Sequence, residues 1–332
     1  MIKLEKTGFC PVFSVCGAAL LTISVVIPIK PGLRPQAAGR IAALGWPSGQ
    51  YELLIAEGTN PSCQRNQAVQ QAIGEIIYFL DDDALVVPDA LQRLARHFAD
   101  PQVVAVGGPS LTPSTDTFLQ RAIGATLASP LGAGGVRNRY RAVGAVRRTT
   151  ERELILCNLA IRREAFLANN GLDERLYPNE ENELLDRLQK GGGLLLHDPQ
   201  LAVERSQRAS LAAFARQMFR YGRGRSEQTR IAGLHGLMPF VPLLFLVYLL
   251  AVPFLQVPLL RLPLAGYLLA VGLCTFRAAV QERTASHLLH LPFLFPMMHI
   301  SNALGLLAGF LLPLKPQTCY NRPPVLIRHL KP

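Results

Sequence analysis

After residue 236 the chain almost stops carrying charge. Residues 237–332 contain seven basic side chains and one acidic side chain, whereas residues 1–236 contain 27 basic and 22 acidic side chains. Over the whole chain of 332 residues, a hydrophobic content of 49% and a mean hydropathy of +0.22 are too high for an ordinary soluble domain. A charged fraction of 17% also excludes a disordered polyelectrolyte. We therefore expect a folded, charged N-terminal part and a membrane-associated C-terminal part.

Three apolar runs make up most of the C-terminal part, over residues 237–260, 262–276 and 288–314. A helix that crosses a bilayer needs about 20 apolar residues, and the first and third runs are long enough. Buried core helices are the alternative, but such helices usually have a polar face, which these runs lack. The sequence predicts a membrane region with two to three hydrophobic helices over residues 231–314, followed by a basic tail over residues 315–332.

Five arginines precede the first apolar run and predict its orientation. They are Arg216, Arg220, Arg223, Arg225 and Arg230. By the positive-inside rule they keep the N-terminal part in the cytoplasm, which predicts a protein of the inner (cytoplasmic) membrane. Three full spans would leave the tail outside, whereas the basic residues of the tail favour the inside. One run would then be re-entrant or interfacial, and the number of spans stays open.

The N-terminal part begins with an uncharged segment, residues 9–29, that has the length of a membrane anchor. Its second half is β-branched and is interrupted by Pro28, which favours a buried parallel strand over a helix in lipid. We therefore predict an N-terminal extension over residues 1–21 and a folded domain that begins at residue 22. An N-terminal anchor is the alternative.

Strand-like and helix-like segments alternate in this domain, which is typical of an α/β protein. Predicted strands cover residues 23–28, 51–56, 75–80 and 103–106, and predicted helices begin at Pro61 and Pro88. Such βαβ units form a parallel sheet whose ligands bind beyond the carboxyl ends of the strands. Acidic residues stand at two of these ends, Glu57 after the second strand and Asp81 after the third.

The triplet Asp81, Asp82 and Asp83 is the most informative motif of the chain. Adjacent carboxylates repel one another unless a cation neutralises them. Mg²⁺ and Mn²⁺ typically bind one or two protein carboxylates together with water and phosphate oxygens, so the triplet predicts a metal–diphosphate site. An acidic turn that only solubilises a loop is the alternative. No GxGxxG motif follows the first strand, which disfavours a dinucleotide site.

The six cysteines are spread along the chain without a CxxC pair. This spacing argues against a disulfide-rich secreted fold and against a structural zinc site. We therefore expect reduced, scattered thiols.

The motifs of the domain, taken in their order along the chain, resemble those of family 2 glycosyltransferases of the GT-A fold. They are residues 23–28, 81–83, 158–166, 171–174 and 179–184. The resemblance covers about residues 22–230 and implies a Rossmann-like α/β domain for a nucleotide-diphospho-sugar, followed by C-terminal transmembrane helices. Because residues 219–225 lead into the apolar runs, the chain is most similar to membrane-bound bacterial exopolysaccharide enzymes, the succinoglycan-type glucosyltransferases.

The resemblance implies a donor site. Its residues are Pro28, Glu57, Arg65, Asp81, Asp82 and Asp83. Asp81 and Asp83 match the DxD motif, with Asp83 as the direct metal ligand, Asp81 facing the ribose or the metal, and the middle aspartate in support. Pro28 would line the base pocket, and Glu57 replaces the aspartate that contacts the nucleotide base in the family. Arg65 matches a basic position facing the nucleotide, although a solvated helix arginine is the alternative.

The resemblance also implies a catalytic base and an acceptor site. Glu181 matches the second acid of a Glu-Asp motif, which is the base in the family, and Glu180 could share the role. Gln217, Arg220 and Tyr221 resemble a QxxRW motif, with Tyr in place of Trp, and would bind the acceptor or the diphosphate. The alternative for the two glutamates is that they only form the acidic first turn of a helix and are stabilised by its dipole. The alternative for the second motif is a basic helix that lies on anionic lipid headgroups.

A segment rich in arginine lies between these motifs. Its basic residues are Arg137, Arg139, Arg141, Arg147, Arg148 and Arg152. We expect a mobile loop near the acceptor that could hold a phosphate of a lipid-linked substrate. Nucleic acid is a weaker explanation, because no aromatic residues interleave with the arginines.

The sequence thus predicts an inverting, metal-dependent glycosyltransferase that uses Mg²⁺ or Mn²⁺. It would transfer a sugar from a nucleotide-diphosphate sugar, expected to be a UDP-sugar, to a membrane-held, polyprenyl-linked saccharide in cell-surface or exopolysaccharide assembly. The second hypothesis is a non-catalytic membrane scaffold that retains a GT-A domain to bind a nucleotide sugar. A transporter is disfavoured because the long apolar runs contain no charged residue.

Overall fold

The buried, β-branched segments of the chain form two sheets in the computed structural model, which describes residues 21–47, 49–234, 236–254, 256–314 and 325–330. The predicted N-terminal extension lies outside these residues, except for residue 21. The strands are β1 (Ile23–Ile29), β2 (Tyr51–Glu57), β3 (Ile76–Leu80), β4 (Leu85–Val86), β5 (Val103–Gly107), β6 (Ser110–Leu111), β7 (Arg147–Arg148), β8 (Asn158–Arg162), β9 (Leu194–His197), β10 (Val203–Glu204) and β11 (Leu326–Leu330). The helices are α1 (Gln36–Ala42), α2 (Pro61–Gln71), α3 (Ala90–His97), α4 (Phe118–Ala128), α5 (Arg163–Ala168), α6 (Glu180–Lys190), α7 (Leu211–Ala232), α8 (Val241–Ala251), α9 (Leu262–Gln281) and α10 (Ser286–Leu311).

Eight strands form the main sheet, in the order β11-β2-β1-β3-β8-β5-β9-β7. β1 pairs in parallel with β2 and with β3, because α1 and α2 return the chain to the starting edge after each strand. β8 runs antiparallel to β3 and β5, and β7 and β11 are also antiparallel to their neighbours. The four strands that the sequence predicts, β1, β2, β3 and β5, run in one direction, whereas these antiparallel strands were not predicted. The chain reaches β8 through a long connection that contains α4, and this connection is not a parallel crossover.

Side chains of the central strands alternate between two buried faces of the main sheet. Val25 and Ile27 of β1 pack on the face covered by α1 and α3, whereas Val26 packs on the opposite face, against α2 and α6. All three side chains are fully buried. Strands covered on both faces require continuous apolar runs, which is the pattern that predicted them. The two packed layers fix the positions of the strand ends.

Helix α2 begins as its sequence predicts. The side chain of Asn60 accepts hydrogen bonds from the backbone amides of Ser62 and Cys63 at 3.1 and 3.5 Å, and Pro61 occupies the first helical position. Cys63 is disulfide-bonded, so the expectation of reduced thiols is wrong at this position.

Helix α10 packs on the α/β domain. Leu291, Leu294 and Phe295 are fully buried in a cluster that also contains Ile123 of α4 and Met218 of α7. Residues 286–311 were expected to lie within the membrane region. These three buried residues of α10 instead belong to a core that this helix shares with the α/β domain. The charge-free sequence cannot distinguish the two, because both environments accept apolar side chains.

Small residues allow α7 and α10 to run side by side at close range. A Cβ atom on Gly222 of α7 would overlap the carbonyl oxygen of Asn302, and one on Gly305 of α10 would overlap that of Phe219. Gly309, four residues beyond Gly305, lies equally close to α7. Contact between two helix backbones requires such small-residue positions.

Two helices are long and apolar enough to span a membrane, over residues 258–281 and 286–311. A shorter apolar segment covers residues 238–254 and includes α8. α8 contains no buried residue, and α9 buries only Val271 and Thr275. The helices α8 and α9 therefore present most of their apolar surface outward, unlike α10.

The end of the chain returns to the main sheet. β11 pairs antiparallel with β2 over five residues, from Leu326 opposite Glu57 to Leu330 opposite Leu53. Ile327 packs against the core layer that contains α2. Residues 326–330 lie in the predicted basic tail and form the edge strand of the sheet, which the sequence analysis did not predict.

Substituting Gly305 tests the α7–α10 contact. Gly305→Ala should lower the free energy of unfolding by about 1–3 kcal/mol, because the added methyl group must separate two helix backbones. The measurement is the thermal unfolding midpoint in detergent, followed by circular dichroism.

Gly272→Ala on α9 is the matched control, because a Cβ there meets no atom within 4 Å. The control midpoint should stay the same or rise slightly, since alanine favours a helix. Equal midpoints for the two variants would contradict the close contact.

Candidate active site

The acidic residues at the carboxyl ends of β2 and β3 meet at one edge of the main sheet. Glu57 is the last residue of β2, and Asp81 directly follows β3. β1 lies between the two strands and pairs with both. Pro28 of β1 is buried and lies opposite Ala56 of β2, next to this edge. The predicted site residues of the first three strands therefore come together.

Asp81 and Asp83 share one cationic partner, Arg205. Its Nη2 lies 3.1 Å from Asp81 Oδ2, and its Nε donates to Asp83 Oδ1 at 2.6 Å. Burial alone would lower the pKa of Arg205, but the two carboxylates raise it well above its usual value. Two carboxylates that converge on one positive group can also hold a divalent cation, whose remaining ligands would be water and phosphate oxygens.

The other acids near this pair are placed less favourably for a cation. The pKa of Asp82 is raised by burial and by the charges of Asp83 and Asp81. Glu204 of β10 is exposed. Among the residues that the structure describes, no group of three or more His, Cys, Asp or Glu side chains forms a ready metal cluster.

Arg65 connects the aspartates to a second acidic segment. Its Nη2 lies 2.9 Å from Asp81 Oδ1, and its Nη1 lies 3.5 Å from Glu180 Oε1. The side chain is 3% exposed, so Arg65 is not a solvated helix arginine. In the described part of the chain its Nε has no hydrogen-bond partner. Arg65 is therefore a buried donor within the site.

Glu180 and Glu181 open helix α6, and both are buried. Asn179 before them has a positive φ of 85°, which Asn tolerates better than most residues. Burial, and then the charge of Glu181, raise the pKa of Glu180 to about 8. Glu180 Oε2 has no hydrogen-bond partner among the described residues.

Arg139 holds Glu181 from the arginine-rich segment. Its Nη1 lies 3.4 Å from Glu181 Oε1, and its Nη2 donates to Asn182 Oδ1. Residues 134–140 form a 3₁₀ helix, and Arg139 donates from its Nε to the carbonyl oxygen of Arg152 at 2.9 Å. The expectation of a mobile loop is wrong for this part of the segment, because Arg139 is buried among acceptors.

A small pocket lies between helix α7 and Arg205, the partner of the aspartate pair. It is lined by Arg205 together with Gln217 and Tyr221 of α7 and by Tyr140. Gln217 Nε2 donates to the Tyr221 hydroxyl at 3.0 Å. Arg220, the remaining member of the predicted motif, is exposed on another face of α7 and does not line this pocket.

Three arginines of the site were not assigned these roles from the sequence. Arg205 directly follows the two-residue strand β10, and no sequence motif marks it. Arg139 was one of six arginines in its segment, with nothing to single it out. Arg328 lies in the tail, and its Nη2 is 3.0 Å from Glu57 Oε2. Each pairing joins residues at least 42 positions apart, so only the fold reveals it.

Comparison with known proteins agrees with this architecture. The profile described as "Glycosyl transferase family group 2" matches residues 76–312. The succinoglycan biosynthesis protein ExoA of Rhizobium meliloti (strain 1021) is 28% identical over 241 residues, which are 66% of this chain and 70% of that protein. The solved structure of the mannosyltransferase PcManGT from Pyrobaculum calidifontis, in complex with GDP-Man and Mn²⁺, has a TM-score of 0.54 and 15% identity over 88% of each chain.

The profile covers well over half of the chain, from β3 to the end of α10. At 15% identity the solved structure shows likeness of fold alone, and that fold is a mixed α/β sheet of the GT-A type. The protein therefore belongs to the family 2 glycosyltransferases and has the GT-A fold.

Proposed function

We propose that this glycosyltransferase transfers a sugar, with inversion, from a nucleotide-diphosphate sugar to a membrane-held saccharide. The observation that carries the proposal is the bridge made by Arg65 between Asp81 and Glu180. It brings together two acidic segments that lie about 100 residues apart in the sequence. One segment would bind the departing diphosphate, and the other would remove the proton of the acceptor.

Asp81 and Asp83 are the proposed ligands of a divalent cation, Mg²⁺ or Mn²⁺, with Asp82 in a supporting role. Their convergence on Arg205 and the Mn²⁺ bound to the mannosyltransferase PcManGT support this assignment. The cation would act as a Lewis acid that stabilises the charge of the departing nucleoside diphosphate. Arg65, with an N–H group that has no partner among the described residues, is positioned to donate to the diphosphate oxygens.

Glu57 and Pro28 are the proposed contacts at the nucleoside end. The carboxylate of Glu57 accepts a hydrogen bond from the Gly32 amide at 3.1 Å, which directs it toward the loop after β1. We expect the donor to be a UDP-sugar. The GDP-Man in PcManGT makes a GDP-sugar the first alternative to test.

Glu181 is the proposed catalytic base, and Glu180 is the second candidate. The acceptor hydroxyl would lose its proton to the carboxylate while its oxygen forms a bond to the anomeric carbon. The bond from that carbon to the diphosphate oxygen breaks at the same time. The ion pair with Arg139 fixes the position of the Glu181 carboxylate. A single displacement from the face opposite the diphosphate inverts the anomeric configuration.

The acceptor is proposed to be a polyprenyl-linked saccharide at the inner (cytoplasmic) membrane, with the α/β domain on the cytoplasmic side. The two apolar helices and the pocket lined by Gln217 and Tyr221 on the preceding helix α7 support a membrane-held substrate. Arg220 lies outside that pocket and would contact lipid headgroups instead. The similarity to a succinoglycan biosynthesis protein supports a role in polysaccharide assembly.

Asp83→Asn tests the metal–diphosphate site. With Mn²⁺ present, the variant should bind the preferred nucleoside diphosphate at least about tenfold more weakly, because one of two anionic ligands is lost. The measurement is calorimetric titration of the purified full chain with UDP, GDP, ADP and CDP, with Mn²⁺, with Mg²⁺ and with chelator.

Asp89→Asn is the control for this titration, because Asp89 pairs with Arg93 on α3 rather than with the site. Its affinity should equal that of the wild type. Metal-independent binding, or equal affinity in Asp83→Asn, would contradict the metal assignment. Binding without any sugar transfer would favour the scaffold hypothesis.

Glu181→Gln tests the catalytic base. The rate of transfer should fall by about 10²–10⁴, because the amide cannot accept the acceptor proton, while donor affinity should stay within about twofold. The measurement is transfer of radiolabelled sugar to a polyprenyl-diphosphate saccharide extract, together with donor titration.

Glu180→Gln and Glu164→Gln complete this experiment. Glu164 is an exposed acid on α5, and its variant should transfer normally. A full rate in Glu181→Gln, combined with loss of transfer in Glu180→Gln, would move the base to Glu180.

A further inference from the structure

The C-terminal strand lies beside the proposed nucleoside end of the donor site. β11 is the edge strand, and its only sheet neighbour among the described strands is β2. Because the pairing is antiparallel, the beginning of β11 lies next to the carboxyl end of β2, with Leu326 opposite Glu57. The last part of the chain thus borders the same edge as Pro28 and the loop after β1.

Alternation along β11 places one arginine on the face of the sheet that Glu57 occupies. Val325 and Ile327 pack into the core layer with α2, so Arg328 points to the opposite face. On β2, Leu53 and Ile55 pack into the layer with α1, and the same alternation brings Glu57 to that face. Arg328 and Glu57 are therefore diagonal cross-strand neighbours, with 3.0 Å between Nη2 and Oε2.

Two groups from distant parts of the sequence hold the carboxylate of Glu57. Its Oε1 accepts from the Gly32 amide, and its Oε2 accepts from Arg328. The Arg328 side chain is 48% exposed, and such a surface pair adds little to the stability of the fold. The remaining part of β11 is anchored elsewhere, where His329 lies 3.5 Å from Glu52.

We propose that Arg328 is a donor-positioning residue, and that the C-terminal strand completes the nucleoside end of the donor site. Arg328 orients the Glu57 carboxylate from the edge strand beside the proposed nucleoside end. A guanidinium has five N–H donors, so it can contact Glu57 and a carbonyl oxygen of a base together. The inference rests on the proposed function, because that function assigns Glu57 to the nucleoside.

The test is calorimetric titration of the full-length protein with Mn²⁺ and two kinds of probe. The first is the nucleoside diphosphate, among UDP, GDP, ADP and CDP, that the wild type binds best, and the second is inorganic pyrophosphate. Arg328→Gln should bind the nucleoside diphosphate about tenfold more weakly, as expected for loss of a charged hydrogen-bond donor. Its affinity for pyrophosphate should be unchanged, because pyrophosphate lacks the nucleoside.

Two further variants separate positioning from stability. Leu330→Ala, at the far end of the same strand, removes an exposed side chain opposite Leu53 and should bind both probes like the wild type. Glu57→Gln should show the same selective loss as Arg328→Gln. The double variant should be no weaker than either single variant, because the two residues act as one unit.

The outcomes separate this inference from the proposed function. If the wild type binds none of the four nucleotides, both are overturned. Nucleotide binding that Arg328→Gln leaves unchanged would overturn the inference alone. Equal loss of nucleotide and pyrophosphate affinity in Arg328→Gln would also overturn it, since that pattern indicates a general structural defect. If Arg328→Gln does not fold, Arg328→Lys replaces it, because lysine keeps the charge without the planar guanidinium. Weaker binding of the nucleotide with unchanged binding of pyrophosphate in Arg328→Lys would support the inference, and unchanged binding of both would overturn it.

Discussion

The guanidinium of Arg65 is the interaction on which the acidic site depends. A buried charge without a partner costs several kcal/mol, and here the Asp81 carboxylate is the charged partner at 2.9 Å, with the Glu180 carboxyl group 3.5 Å from the same guanidinium. Arg65 can reach both because α2 begins immediately after β2. Gln64, its neighbour on that helix, donates to the carbonyl oxygens of Ile29 and Ala56 at 2.8 and 2.5 Å, which fixes the helix against β1 and β2. The position of one arginine therefore follows from the start of one helix.

Arginines from distant parts of the fold repeat this arrangement around the site. Arg205 comes from the small sheet β4-β10-β6, and Arg139 comes from the 3₁₀ helix after α4. Arg205 pairs with Asp81 and Asp83, and Arg139 pairs with Glu181, which is adjacent to a second glutamate. The acids of the site thus have positively charged partners in place within the fold. Such prior orientation of charged groups is what transition-state stabilisation requires.

Local sequence patterns predicted the parts of the fold that are governed by local physics. The apolar runs of β1, β2 and β3 and the Asn60–Pro61 start of α2 lie where those patterns placed them. Family likeness is confirmed by the profile match, but the roles of the individual acids stay predictions. Which strands and which side chains pair across the sheet could not be predicted in the same way. The antiparallel entry of β8, the return of β11 and the pairing of Arg205 with the aspartates all depend on contacts between residues far apart in the sequence. A charge-free run likewise cannot show that α10 packs on protein, because lipid and a protein core favour the same side chains.

The pairing of β11 with β2 limits how the chain can sit in a bilayer. β1 and β11 belong to one sheet, so wherever the apolar helices cross a bilayer, the chain must enter and leave it on the same side. Each complete crossing by one of the apolar helices must therefore be matched by a return crossing, and the total is even. Three full spans are incompatible with this sheet. An even number of crossings leaves β11, the described part of the basic tail, in the same compartment as β1.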